Sequence, residues 1–253
     1  MSLENIKDLL RKTPLINLFI WTKSRFVLPK SQNDEVQIIN TLISRFNVPK
    51  SFIEFGFGGW EFNCADLIDK WEGLLVDGDE YNIQIAKIIC SKKIITKQAW
   101  LTLDNLDFII EYGKSRELGI LSVDVDGNDY WFLEKLIHLN PAIIIVEYNS
   151  SFGLRPLTVP YDEHFERFEK HASGLYFGAS LQALSLLANK NGYALIEVSN
   201  SGVNAFFVRK DLLSADDIEL KLAVCFREKH FVNGSSQTEQ WEVIKNMEFI
   251  NVS

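Results

Sequence analysis

Cysteine is scarce in this sequence, and no two cysteines stand at the short spacing of a metal knuckle or a redox motif. Cys64, Cys90 and Cys225 lie far apart along the chain. This spacing argues against a disulfide framework and against a structural zinc site. We therefore expect a reducing, cytoplasmic setting for the protein.

Positive charge is also in short supply, because 26 Lys and Arg residues stand against 34 Asp and Glu residues, which gives a net charge of −8. A general nucleic-acid binder needs a basic face, so we expect no nucleic-acid partner. Residues 1–12 contain acids and lack an apolar core, so we expect no signal peptide.

The most apolar early stretch, residues 15–28, includes Lys23 and Arg25 and is too short to span a bilayer. We expect no membrane span. The composition favours a buried or partner-facing helix here over a helix that lies on a membrane surface. Apolar N-terminal helices of this kind also make a homodimer a reasonable expectation.

The chain lacks repeats and linkers rich in proline or glycine, and its 253 residues can bury a large core. We predict three parts. Residues 1–50 form an N-terminal helical extension, and residues 51–213 form the main domain, with an insertion at 148–177 that acts as a substrate lid. Residues 214–253 form a C-terminal helical segment.

Short apolar runs alternate with amphipathic runs after residue 50, which predicts an α/β fold with a mostly parallel, doubly wound sheet of seven strands. A turn at 200–202 predicts that the sheet ends in an antiparallel hairpin. Predicted strands lie at 51–55, 73–77, 93–96, 119–124, 142–147, 193–199 and 203–208. Predicted helices lie at 34–46, 60–71, 80–90, 128–139 and 179–191.

Acidic residues stand at or near the ends of four predicted strands, and they are Glu54, Asp77, Asp124, Asp126 and Glu147. Ligands of open α/β sheets bind beyond the carboxyl ends of the strands, so this pattern favours a binding site. In the alternative interpretation, Asp79, Asp126 and Asn128 only cap the helices that follow.

Gly56 and Gly58 follow the first predicted strand and suit a tight turn that brings backbone close to a ligand. A dinucleotide fingerprint would need a third glycine at position 61, where the chain has Glu61 in the predicted first helical turn. With Glu54 nearby, this site disfavours a pyrophosphate. It favours a cationic ligand without phosphate, such as S-adenosylmethionine.

The same reasoning assigns further cofactor contacts. Asp77, at the end of the second strand, is placed to accept hydrogen bonds from ribose hydroxyls. Gln98, Ala99 and Trp100, just past the third strand, are candidates to line the adenine.

The turn Glu54-x-Gly56-x-Gly58, the second-strand acid and residues 124–131 together resemble S-adenosylmethionine-dependent methyltransferases of the FkbM-like group. Residues 146–153, 176–181 and 202–208 are similar to bacterial methyltransferases of capsule and surface-polysaccharide biosynthesis. The resemblance covers roughly residues 52–212. It implies a Rossmann-like class I methyltransferase fold and an activity on a glycan precursor.

The strand-end acids also suggest a metal site. Neighbouring strands lie about 5 Å apart, so oxygens of Asp124, Asp126, Glu147 and Asn149 could converge on Mg²⁺ or Mn²⁺. The arrangement is similar to that of metal-dependent O-methyltransferases such as the catechol enzymes. In the alternative interpretation, Asp124 only orients the methionine moiety of the cofactor, and Asp126 caps a helix.

Methyl transfer to oxygen also needs a way to remove a proton, which a metal or a general base can supply. The candidate catalytic residues are Asp124, His164 and Tyr161, the last two from the insertion. Tyr148, Arg155 and Tyr176 are candidates for binding the acceptor.

The sequence thus predicts an O-methyltransferase that uses S-adenosylmethionine and acts on a polar sugar or a phosphate-linked precursor of capsule or lipopolysaccharide. One alternative is an NAD-dependent sugar oxidoreductase, which the missing third glycine and the absence of a YxxxK pair disfavour. The other alternative is a non-catalytic Rossmann-like binding subunit.

Overall fold

A computed structural model describes residues 15–229 and 234–252. Its strands, in chain order, are β1 Ser51–Phe55, β2 Glu72–Asp77, β3 Ile94–Gln98, β4 Ile120–Val123, β5 Ile143–Glu147, β6 Leu157–Thr158, β7 Tyr193–Val198, β8 Asn204–Arg209 and β9 Ile250–Asn251. Seven of these strands form one sheet, in the order β3-β2-β1-β4-β5-β8-β7. Strands β1 to β5 run parallel, and the hairpin β7–β8 joins antiparallel to β5. The predicted doubly wound, mostly parallel sheet of seven strands with its terminal antiparallel hairpin is confirmed.

Alternate side chains of the strands enter two separate apolar cores, as the period of two along a strand requires. Ile53 of β1 and Ile144 of β5 belong to one core, whereas Phe52 and Ile143 belong to the other. Every residue of β5 is buried, which explains its nearly unbroken apolar sequence.

Helices cover both faces of the sheet. Their bounds are α1 Leu15–Ser24, α2 Glu35–Arg45, α3 Glu80–Ile89, α4 Asp107–Lys114, α5 Asp129–Leu136, α6 Arg167–Lys170, α7 Leu181–Lys190, α8 Leu222–Cys225 and α9 Gln237–Ile244. The apolar faces of α2 and α3 pack into one core, and those of α4, α5 and α7 pack into the other.

The helix predicted at 60–71 is wrong. Only a short 3-10 turn, Ala65–Leu67, forms there. The side chain of Glu54 accepts hydrogen bonds from the backbone N–H groups of Asn63 and Cys64. The backbone of Glu61 forms isolated β-bridges with the backbones of Gly58 and Lys30. These contacts hold the segment in an irregular path, so Glu61 does not lie in a first helical turn.

The described N-terminal helices, α1 and α2, agree with the prediction of a helical N-terminal region, and residues 1–14 lie outside the described residues. Ile20 of α1 is fully buried, but Leu18, Phe19 and Trp21 are at least half exposed. Most apolar side chains of this stretch are thus not buried within the chain, and the alternative of a partner-facing helix stays a prediction. Within the described residues, no helix combines the length and the apolar character needed to cross a membrane.

Sequence reasoning missed α4 and gave too much helix to the C-terminal segment. That segment contains the short helices α8 and α9 and ends in β9, which pairs antiparallel with β6 in the insertion.

A third apolar cluster lies between the insertion and the C-terminal segment. We call it the satellite cluster. It comprises Phe152, Val159, Phe165, Leu175, Tyr176, Phe177 and Ile244, with Leu157, Trp241, Met247 and Phe249 packed against them.

Phe249 links the C-terminal segment to the insertion. Its ring lies 5.1 Å from that of Phe152 and 5.4 Å from that of Tyr176, both edge to face. We expect Phe249→Ala to lower the free energy of unfolding by about 2 kcal/mol, because it removes a half-buried ring from this cluster. Urea unfolding measures the change. Phe26→Ala is the control, since that side chain is 86% exposed. An equal effect of both variants would contradict the assigned role of Phe249.

Candidate functional site

A cavity of about 830 Å³ opens at the carboxyl ends of β1, β2, β4 and β5. The chain order of the strands reverses between β1 and β4, and such a switch point leaves a crevice in which open α/β sheets bind ligands. The predicted location of the site is therefore a real concavity of the molecule.

Acidic side chains dominate the wall of this cavity. Eight acidic residues and two basic residues line it. The acids are Glu54, Glu61, Asp77, Asp79, Asp124, Asp126, Glu147 and Glu166, and the bases are Arg167 and Lys229. Such a wall repels polyanions and attracts cations.

Gly56 cannot be replaced without disturbing this edge of the sheet. Its φ angle is +74°, and a Cβ atom at this position would lie 1.4 Å from the carbonyl oxygen of Asp124. The lack of a side chain therefore lets the turn after β1 touch the turn after β4. Gly58 also lines the cavity, but a Cβ there would meet its nearest atom, in Glu61, at 3.4 Å.

Glu54 is buried at the base of the cavity, and its carboxylate oxygens accept from Asn63 N at 2.6 Å and from Cys64 N at 2.9 Å. Burial raises its pKa to about 6, although these two hydrogen bonds act in the opposite direction. Glu54 thus shapes the cavity wall by holding the segment that follows the glycine turn.

Asp77 lines the cavity at the end of β2 and organises the same turn. Its Oδ2 accepts from Phe57 N at 3.0 Å, and its Oδ1 accepts from Asp79 N and the Asn82 amide. A carboxylate offers about four acceptor positions, so Oδ2 retains one that a ligand hydroxyl could use. Burial raises the pKa of Asp77. The predicted helix cap at Asp79 is present, because its side chain accepts from Tyr81 N.

The wall past β3 is formed by Ala99, Trp100 and Leu101. Trp100 is half exposed, and its indole N–H donates to the carbonyl of Glu163 at 2.8 Å. Gln98 does not line the cavity, because its amide turns back to donate to the carbonyl of Gly78. The proposed contact of Gln98 with adenine is therefore not supported.

Asp124, Asp129 and Glu147 bring carboxylate oxygens within 4.8 Å of one another. We call these residues the acid triad. Burial raises the pKa of Asp124 well above its ordinary value, that of Asp129 to about 7 and that of Glu147 to about 8, and the neighbouring carboxylates add repulsion. The Oε2 atom of Glu147 is buried and has no hydrogen-bond partner. The Lys229 ammonium lies 4.0 Å from Oε1 of the same carboxylate, so Oε2 is the atom at which a further cation would suit this cluster.

Two of the predicted metal ligands do not join this cluster. The Asn149 amide is occupied, since it donates to the carbonyls of Leu175 and Phe177 and accepts from Ser151 N. Asp126 is exposed and forms an ion pair with Arg167 at 2.7 Å. The cap predicted at Asn128 is also wrong, because its side chain contacts Asp162 instead of the end of α5.

The two catalytic candidates in the insertion lie outside the cavity lining. The His164 side chain is 83% exposed, with Glu163 as its ionic neighbour. The Tyr161 hydroxyl accepts a hydrogen bond from Leu103 N at 2.9 Å, and the side chain of Tyr161 packs against the first sheet core. Neither residue is placed to take a proton from a ligand, so of the predicted catalytic residues only Asp124 lines the cavity.

The predicted acceptor-binding residues have structural roles elsewhere. The hydroxyl groups of Tyr148 and Tyr176 donate to the carbonyls of Arg227 and Glu248, and both side chains are buried. The Arg155 guanidinium lies over the ring of Trp241, at 4.1 Å from its centre. None of the three lines the cavity.

The insertion reaches the cavity through residues other than those that were predicted from the sequence. Phe165, Glu166, Arg167 and Phe168 are the part of the insertion that reaches the cavity. Nothing in their spacing distinguishes them from the charged surface around them. Asp129 could have been recognised, because it is a further acid in the run that follows β4. Its oxygens accept from Val125 N and Gly127 N and fix the loop after that strand.

No protein-family model matches the chain, and a search of curated proteins finds no match. Several solved structures are similar. The N-terminal domain of EvdMO1 with SAH bound is 15% identical, with a TM-score of 0.44 over 70% of this chain and 80% of that one. Cofactor-bound Rv0187 from MTB is 12% identical, with a TM-score of 0.45 over 83% of this chain and 98% of that one. An O-methyltransferase from Bacillus cereus in complex with SAH is 16% identical, with a TM-score of 0.40 over 77% of this chain and 80% of that one.

These values are too low to transfer a substrate, a cofactor or a site residue to this chain. Membership of the FkbM-like group stays a prediction.

The raised pKa of Glu54 predicts a pH-dependent stability. A carboxyl whose pKa is higher in the folded state favours folding below the unfolded value of 4.5, and this contribution is lost as the pH rises through about 6. We expect this group alone to lower the free energy of unfolding by about 2 kcal/mol between roughly pH 4.5 and pH 6.5. Glu54→Gln should remove this part of the slope. It should also cost about 2 kcal/mol at pH 5, because a backbone N–H loses its acceptor.

Urea unfolding at pH 5 and pH 7 tests this expectation. The control is Glu111→Gln, which alters an exposed acid on α4 and should change stability by less than ~0.5 kcal/mol. An unchanged slope in Glu54→Gln would show that Glu54 does not carry the pH dependence.

Proposed function

We propose that this protein is an S-adenosylmethionine-dependent O-methyltransferase that acts on a polar sugar or a phosphate-linked glycan precursor. The observation that carries the proposal is the charge of the cavity, where eight acids and two bases surround the crevice beyond the glycine turn. A diphosphate-bearing dinucleotide would meet repulsion there. A methyl donor with a sulfonium and an ammonium group would meet attraction.

The donor side of the cavity supports this assignment. The turn at Gly56 exposes backbone to the crevice, and Asp77 retains an acceptor position for a ribose hydroxyl. Ala99, Trp100 and Leu101 provide an apolar wall of the kind that a purine ring can pack against. These features lie at neighbouring strand ends, which is the span that one nucleoside needs.

Methyl transfer requires little covalent participation by the protein. When bound, S-adenosylmethionine supplies a methyl group that its sulfonium already activates. The chain must hold an acceptor oxygen in line with that methyl, exclude water and favour loss of the hydroxyl proton. Asp124 and Glu147 line the cavity and fit the last task, because burial raises the pKa of both and a carboxylate of raised pKa is a stronger proton acceptor when it is ionised.

We also propose that the acid triad holds Mg²⁺ or Mn²⁺. Its oxygens are hard ligands, and the orphaned Oε2 of buried Glu147 fits a cation that completes its coordination. When bound, such a cation supplies positive charge that favours deprotonation of an acceptor hydroxyl. Asp124, Asp129 and Glu147 would hold it, and this set replaces the predicted set that included Asp126 and Asn149.

The acceptor side is formed by the insertion. Arg167 is one of the two cations in the wall, and a guanidinium suits a phosphate or a carboxylate. Phe168 also lines the cavity and is 71% exposed, so its ring is free to stack on a sugar. This combination supports a phosphate-linked glycan precursor. The three cysteines are free, which agrees with a reaction in the cytoplasm.

Donor binding is tested by calorimetry with S-adenosylmethionine and, separately, with NAD. We expect the wild type to bind S-adenosylmethionine alone, and Asp77→Asn to weaken that binding by roughly tenfold or more, because a charged hydrogen bond to the ribose is lost. The control is Asp104→Asn, which alters an exposed acid outside the cavity wall and should bind like the wild type. Binding of NAD alone would refute the proposal. Mass spectrometry of candidate glycan precursors for the gain of a methylene mass then identifies the acceptor.

The metal proposal is tested by titrating the EDTA-treated protein with Mn²⁺ and following the free ion by electron paramagnetic resonance. We expect Glu147→Gln to weaken Mn²⁺ binding at least roughly tenfold, since a neutral amide replaces a charged ligand. Glu166→Gln, which changes a cavity acid outside the triad, should bind Mn²⁺ normally. Equal binding by both variants, or none by the wild type, would exclude the site. Full turnover after EDTA treatment would exclude an essential ion.

A further inference from the structure

Residues 18–28 form an unusual concentration of exposed apolar side chains. Fifteen large hydrophobic residues are exposed in the described part of the chain, and six of them lie in this short stretch. We call them the N-terminal patch. They are Leu18, Phe19, Trp21, Phe26, Val27 and Leu28. Soluble proteins rarely leave so dense a group in water unless it meets a partner.

The patch is not used to hold the fold together. Among the described side chains of α1, residues 16–24, Ile20 is fully buried, and α1 packs against α3. Phe26 is 86% exposed and Leu28 is 81% exposed, so these two side chains contribute almost nothing to either core.

The charged residues of the segment that carries the patch are all basic. Residues 15–33 carry Lys23, Arg25 and Lys30 and no acidic residue, although the whole chain has a net charge of −8. Arg25 lies 4.2 Å from the centre of the Trp21 ring, and Lys23 lies 4.7 Å from that of Trp60. Apolar and basic residues thus alternate along a segment that is positively charged, although the whole chain is acidic.

We propose that the N-terminal patch docks this protein on an anionic membrane surface. The apolar side chains would enter the boundary between headgroups and acyl chains, and the basic ones would contact anionic headgroups. Trp21 suits this boundary because its ring is apolar and its N–H is polar. The inference concerns peripheral binding and does not depend on the proposed reaction.

A second copy of the chain fits the patch less well. In a two-fold dimer the same surface meets itself, so three basic residues would face three basic residues with no acid of the segment between them. The charge pattern therefore favours a negatively charged surface over self-association.

The patch also adjoins the cavity wall through the backbone. Lys30 N donates to the carbonyl of Trp60, and Phe62 N donates to the carbonyl of Lys30. Gln32 and Glu61 then line the cavity. Docking at the patch would accordingly hold the cavity beside the membrane surface.

Vesicle co-sedimentation of the full chain tests the proposal. The vesicles contain about three parts phosphatidylcholine to one part phosphatidylglycerol, with pure phosphatidylcholine for comparison. We expect binding to the anionic vesicles that weakens as salt rises. Phe26→Ser with Leu28→Ser should reduce binding at least tenfold, and Arg25→Glu should reduce it by about fivefold or more. The matched control is Ile218→Ser with Val224→Ser, whose side chains are 76% and 73% exposed outside the patch and which should bind like the wild type.

Three results would overturn the proposal. One is equal binding to neutral and anionic vesicles or to neither, and another is an equal loss of binding in the control variant. The third is a dimer, seen by sedimentation velocity without vesicles, that Phe26→Ser with Leu28→Ser dissociates. That result would assign the patch to a second copy of the chain.

Discussion

Burial of like charges at one edge of the sheet is the constraint on which the site depends. Asp124, Asp129 and Glu147 are held close together, with Glu54 below them, and burial raises the pKa of each. Such an arrangement costs folding free energy, because desolvated carboxylates repel one another. The fold tolerates it because Asp129 and Glu54 accept backbone hydrogen bonds. The cost that remains is one that a bound cation would lower.

Much of the fold could be predicted from the sequence, because the central strands β1, β4 and β5 are buried on both faces and their apolar runs are short and bounded. The prediction of a helix at 60–71 failed for a physical reason that sequence periodicity does not carry. The buried carboxylate of Glu54 accepts hydrogen bonds from two backbone N–H groups nine and ten residues away, and these bonds hold the segment in a non-helical path. Tertiary hydrogen bonds of this kind override local helix preference.

The site was predictable where the residues lie at strand ends and unpredictable where they lie in the insertion. Gly56, Asp77, Asp124 and Glu147 follow strands whose register is fixed by the sheet, so their convergence follows from topology. The direction of side chains in residues 148–177 depends on the C-terminal segment, since β9 pairs with β6. No local pattern could show that Arg167, and not Arg155, would reach the cavity.

The satellite cluster and the two sheet cores hold different parts of the cavity wall in place. The two sheet cores hold the glycine turn and the acid triad, whereas the satellite cluster positions Phe165 and the neighbouring residues that line the cavity. Substitutions of satellite-cluster residues therefore act first on the part of the wall formed by residues 165–168, because the side chains of the seven-stranded sheet belong to the other two cores. The two sides of the crevice can thus change separately, one through the satellite cluster and the other through the strand ends.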